Sequence, residues 1–134
     1  MLVTAESRHI SVNIDRPAAD VYAYAADPTN WPAWAPGLCT TIEVVDGRWV
    51  ASSGMGRIVI DFAPPNSFGV LDHDVTLDTG ATFHNPMRVL RNGDGAEVVF
   101  TVRRQPGMTD ADFDRDAASV QADLTALKRL VEKL

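Results

Sequence analysis

The stretch Ile10–Gly37, ISVNIDRPAADVYAYAADPTNWPAWAPG, decides how the chain is read. Ile10, Val12 and Ile14 alternate with polar residues, the period-two pattern of a strand with one buried face, and a strand is predicted over Arg8–Asp15. Asp15 stands where a carboxylate can cap the helix that follows, and Pro17 where a proline suits a first turn. Val21, Tyr24 and Ala25 then recur at the i, i+3, i+4 spacing of an amphipathic helix. Pro28 stops that helix, because the residue before a proline, here Asp27, is pushed out of the helical region. Thr29–Pro36, with Trp31 and Trp34, reads as a short second helical turn.

Downstream of this stretch the period-two pattern recurs six times. Leu38–Val45 and Arg48–Ser53 flank Asp46-Gly47, the dipeptide that favours a tight hairpin turn and sets Val44 opposite Trp49 and Ile42 opposite Ala51. Gly54 and Gly56 precede a strand over Arg57–Phe62, and Ala63–Ser67 (APPNS) is a proline-rich turn. Gly69–Leu77 and Ala81–Arg91 form the next hairpin, and Gly95–Arg104 completes the sheet.

Register in the Gly69–Arg91 hairpin decides which polar residues turn inward. A two-residue loop, Thr79-Gly80, would bring His84 and Arg88 to the same face as Leu71 and His73, making that face apolar on one strand and polar on the other. A three-residue loop, Asp78-Thr79-Gly80, puts glycine at the left-handed third position that such loops favour. It sets Leu71, His73, Val75 and Leu77 on one face with Phe83, Asn85, Met87 and Val89, and that coherent face selects it. The turn through Asn92-Gly93-Asp94-Gly95 then places Val89 opposite Val98 and Met87 opposite Phe100.

The chain ends in a predicted helix of about 25 residues, some 37 Å at ~1.5 Å per residue. Thr109 with Asp112 gives a capping-box start. Phe113, Ala117, Val120, Leu124, Leu127, Val131 and Leu134 make one apolar stripe, suited to packing on the sheet rather than to a coiled coil.

At 134 residues the chain is expected to be a single domain, 1–134, and 46% hydrophobic residues suffice for a core. A net charge of −6 argues against nucleic acid and anionic membrane as partners. No apolar run is long enough to span a bilayer, no leader-like segment is visible, and the single Cys39 precludes an internal disulfide. The expectation is a cytoplasmic protein, monomer or homodimer, with Cys39 a half-buried strand residue. Phosphate-binding glycine loops, HExxH and Cys/His clusters are absent, so no cofactor and no metal are expected. Asp110, Asp112, Asp114 and Asp116 read as helix-dipole complement and solubility.

In order and length the chain resembles the polyketide cyclase/START-like superfamily, which includes the birch-pollen-allergen-like proteins. The resemblance rests on IDRPAADVYAYAADPTNWPAW and on the final helix with Asp123, Leu124 and Leu127, and spans nearly the whole chain. It implies an α+β helix-grip fold. A curved antiparallel seven-stranded sheet (β-α-α-β6-α) would wrap around a long C-terminal helix and enclose a cavity for a small, largely apolar ligand. The glycine pair of the heat-shock-activator-like branch is missing from DGRWVASSGMGRIVIDF, and no cyclase catalytic set maps onto the chain residue by residue.

Within that frame His73 is the leading candidate for chemistry: it lies on the apolar face opposite Asn85, and a neutral imidazole is poised near pH 7. His73 and Asn85 are the candidate catalytic residues, or a polar pair that simply bonds within the core. The expected cavity lining is Trp34, Trp49, Leu71, His73, Phe83, Asn85, Met87, Phe100, Val120 and Leu124, with Trp34 near a mouth and Met55 adding a soft wall. His84 with Asp74 and Arg88 with Asp72 read as a solvated outer face. Three functions follow as expectations: binding of a lipid, polyketide or isoprenoid-like molecule; cyclase/dehydratase chemistry through His73; or an interaction domain whose cavity is filled by Trp49, Phe62, Phe83, Phe100 and Phe113.

Overall fold

The computed structural model describes residues 3–134. Its elements run β1 (Ser7–Ile14), α1 (Ala18–Ala25), a 3-10 turn (Pro28–Asn30), α2 (Trp31–Trp34), β2 (Thr41–Val45), β3 (Arg48–Ser53), β4 (Gly56–Phe62), β5 (His73–Leu77), β6 (Thr82–Asn85), β7 (Met87–Asn92), β8 (Gly95–Arg103) and α3 (Asp110–Glu132). This is the expected α+β helix-grip arrangement, with α3 lying against antiparallel sheets.

Among the described residues there are eight strands rather than seven, because the strand expected over Ala81–Arg91 breaks at Pro86. Proline brings no N–H to a ladder. The strands on either side of it belong to different sheets, β2-β3-β4-β5-β6 and β1-β8-β7. The Pro86 carbonyl is satisfied across the joint by the Thr101 N–H at 2.9 Å.

Hairpin registers match the residues that specify them. Asp46 and Gly47 both take positive φ (51° and 77°), and Val44 faces Trp49 and Ile42 faces Ala51. Gly80 sits at φ 89° in the Asp78-Thr79-Gly80 loop, and His73 pairs with Asn85, Val75 with Phe83 and Asp74 with His84. Met87 pairs with Phe100 and Val89 with Val98. Two expected strands begin late. β2 starts at Thr41, and Cys39 is buried in the turn before it, not half-buried in a strand. β5 starts at His73, because Asn66 holds residues 66–70 in a loop. Its side chain accepts from the Phe68 and Val70 N–H groups and donates to the Val70 carbonyl, leaving only a Val70–Arg88 bridge.

Pro17 itself is the N-cap of α1, with no side-chain cap. Asp15 does not cap; its backbone N–H donates to Glu132 Oε2 at 2.8 Å, joining the end of β1 to the end of α3. Lys128 Nζ reinforces that joint through the Asn13 carbonyl at 2.9 Å. At the other end of α3 the Thr109–Asp112 capping box is complete, and the Arg8 guanidinium lies 4.3 Å above the Phe113 ring. Phe113, Ala117, Leu124, Leu127 and Val131 are buried, Val120 is half-buried and Leu134 is exposed. The stripe therefore packs on the sheet over most of its length. Trp31 pins α2 against α1, donating from Nε1 to the Ala25 carbonyl at 2.8 Å.

Candidate functional site

Direct cross-strand partners share a face, so the pairings build the concave wall row by row. Phe62, His73 and Asn85 form one row across β4, β5 and β6; Trp49, Ile60, Val75 and Phe83 form the next. Between this wall, α2 and α3 lies a cavity of about 290 Å³. Buried Trp31, Trp34, His73, Val75 and Leu124 make its floor, and exposed Met55, Arg103, Asp116 and Ser119 sit at its rim.

His73 is 2% exposed. Its Nδ1 lies 3.0 Å from the Leu71 carbonyl, which can only accept, so Nδ1 carries the proton and Nε2 keeps its lone pair. Nε2 receives only a long contact, 3.4 Å, from Asn85 Nδ2. Rings enclose the imidazole: Trp31 edge-on at 4.8 Å and Phe100 at 5.8 Å. Burial lowers His73 to about 4, so it is neutral at pH 7.

Asp123 on α3 also lines the cavity and is half-buried, with no hydrogen bond or ion pair among the described residues. Burial pushes it up to about 6. Asp116, two turns earlier at the rim, is raised by partial desolvation and then by the Asp112 charge. Cys39 is pushed up to about 11 by burial and by the Asp123 charge, which leaves it a neutral thiol. Trp34 is buried in the floor rather than placed at the mouth, and among the described residues its Nε1 has no hydrogen-bond partner.

A second cavity, about 410 Å³, opens between α1, the β2–β3 hairpin and the APPNS turn. Three of the expected lining residues do not line the first cavity. Trp49 and Leu71 line the second cavity, and Met87 is packed in the core, lining neither. Trp34, His73, Phe83, Asn85, Phe100, Val120 and Leu124 all line the first. The five rings that were to fill the interior do not converge: Phe113 packs beneath Arg8 and Arg104, away from Phe62 and Trp49. His84 and Arg88 lie outside, paired with Asp74 at 2.6 Å and Asp72 at 2.8 Å.

Sequence reasoning passed over Trp31, Asp116 and Asp123. Asp116 was absorbed into the acidic run at the helix start. Asp123 directly precedes Leu124 in the apolar stripe, and that adjacency was the available hint.

The family model described as polyketide cyclase / dehydrase and lipid transport matches residues 7–132. The chain belongs to this family. Solved structures share the fold at low identity. A START superfamily protein from Mycobacterium smegmatis has a TM-score of 0.72 at 13% identity, covering 95% of this chain and 97% of its own. Ara h 8.0201 has a TM-score of 0.70 at 14% identity, covering 97% and 99%. The di-domain ARO/CYC BexL of the BE-7585A biosynthetic pathway has a TM-score of 0.71 at 20% identity, covering 95% of this chain and 46% of that one. No curated protein sequence matches the chain. Among the described residues no helix of this family member is long and apolar enough to cross a membrane, and no group of three His, Cys, Asp or Glu side chains could hold a metal ion.

Proposed function

We propose that the protein binds a small, largely apolar molecule of lipid, polyketide or isoprenoid type in the 290 Å³ cavity. The observation that carries this reading is His73: a buried, neutral imidazole whose Nε2 lone pair has no close donor, set among aromatic walls. Such a group accepts a hydroxyl or amide proton from a ligand whose remainder fills apolar space. Asn85 offers an amide beside it. Family membership and the shared fold support binding without naming the ligand. Native mass spectrometry of gently purified protein tests this. A mass excess of a few hundred daltons, lost on denaturation, is expected, or its appearance on adding an apolar hydroxylated probe. Failure of any such probe to bind would sink the reading.

Cyclase/dehydratase chemistry is a second reading, favoured by one observation. A neutral imidazole and a carboxyl raised to about 6, Asp123, line the same cavity with their titrations pushed in opposite directions from ordinary values. That is the pattern of an acid and a base set apart by their surroundings. His73→Ala should abolish turnover if this holds and only weaken affinity if the protein is a carrier.

A further inference from the structure

Asp123 brings a negative charge to a cavity whose walls are otherwise largely apolar. It stands on α3 beside the buried Leu124 and lines the first cavity together with Trp31, Trp34, Phe83 and Phe100. Burial alone raises its carboxyl to about 6, with no hydrogen bond or neighbouring charge contributing, so it is ionised at pH 7. Among the described residues Arg103 is the one cation on the lining, and its guanidinium donates to Ser7 Oγ at 2.9 Å. The other titratable groups around Asp123 offer no counter-charge: Asp116 at the rim is a second acid, and His73 and the Cys39 thiol are neutral. A partly buried carboxylate without a partner has lost hydration that nothing in the protein returns.

A second group in the same cavity asks for the same kind of guest. His73 is 2% exposed, and its Nε2 lone pair has only the 3.4 Å contact from Asn85 Nδ2. His73 Nε2 and the Asp123 carboxylate are both acceptors, while the unpaired donor Trp34 Nε1 exposes essentially no surface. We propose that the first cavity selects a protonated organic amine, its ammonium group paired with Asp123 and its apolar body set against Trp31, Trp34, Phe83 and Phe100. An ammonium group supplies donors and charge and brings no acceptor, and aromatic walls suit a cation as well as an apolar chain. A bare metal ion does not fit, since among the described residues no group of three His, Cys, Asp or Glu side chains could hold one. The net charge of −6 draws cations toward the protein. The proposal rests on the cavity-binding reading above and narrows its largely apolar ligand to one carrying a basic nitrogen.

The test uses three probes with one chain and different heads, octylamine, octanol and octanoate, titrated calorimetrically at pH 7. The proteins are wild type, Asp123→Asn, Asp123→Glu and Asp94→Asn; the last removes the same charge from the exposed β7–β8 turn, outside the cavity lining. Wild type should bind octylamine about tenfold more tightly than octanol, with octanoate weakest. Asp123→Asn should lose the advantage of the amine and keep octanol binding, which also shows that the variant is folded. Asp123→Glu, which retains the charge, should retain the preference, and Asp94→Asn should behave as wild type. No preference for the amine in wild type, a preference that survives in Asp123→Asn, or an equal loss in Asp94→Asn would overturn amine selection by Asp123, while octanol binding leaves the cavity reading intact. Failure of all three probes to bind wild type would overturn cavity binding and this inference together.

Discussion

His73 Nδ1 is 3.0 Å from the carbonyl oxygen of Leu71, two residues earlier in the chain, and this bond fixes the tautomer that the cavity meets. Nitrogen NMR should therefore show a neutral, Nδ1-protonated imidazole at pH 7. The same burial has a cost in acid. The folded state holds His73 at about 4 against an ordinary 6.5, so between those values the unfolded chain binds more protons. Its contribution to stability is present above 6.5 and lost as pH falls toward 4. Denaturant unfolding should show a loss of about 3 kcal/mol over that window, absent in His73→Phe.

Asp123 works with the opposite sign. Its carboxyl is raised to about 6, so the folded state binds more protons than the unfolded chain, and stability falls as pH rises through that value. Asp123→Asn is expected to raise the melting temperature at pH 7, by a gain on the order of 1 kcal/mol once solvent screening at the cavity edge is counted. The gain should vanish near pH 4.

Gly69 sits at φ 74°, and a Cβ there would lie 2.2 Å from the Val89 carbonyl oxygen, an impossible contact with backbone. Gly69→Ala should cost roughly 2 kcal/mol or more in thermal unfolding, whereas the same change at Gly93, at φ 58° with open space around it, should cost less.

Cys39 is fully buried and its thiol is pushed up to about 11. Ellman's reagent should leave the native protein unlabelled at pH 8 and titrate one thiol after denaturation. Rapid labelling of the folded protein would show that the turn before β2 opens.

Register was legible wherever a turn residue and a coherent apolar face agreed. Asp46-Gly47 and Gly80 each admit a left-handed backbone, and a one-residue slip would have brought His84 onto the face that His73 occupies. The break at Pro86 was written in the same sequence, but the alternation Phe83, Asn85, Met87, Val89 runs straight through it, and period two does not reveal that the partner strand changes. The cavity lining was legible only in part for a related reason. Alternation says that Trp49 and Leu71 face the concave side, not which of the two cavities they line. That depends on how far the sheet curls, a property of the whole array.

Pro86 has a mechanical consequence. Among the described residues no strand ladder crosses from the five-stranded to the three-stranded sheet; the joint is held by the Thr101–Pro86 bond, the Val70–Arg88 bridge and the Asp72 carboxylate, which accepts from the Met87 N–H and from Arg88. Flexing there loads this local set of bonds rather than the ladders within either sheet. The two sheets can breathe like the leaves of a book about that spine, so the interior can swell or shrink around a guest while every ladder stays intact.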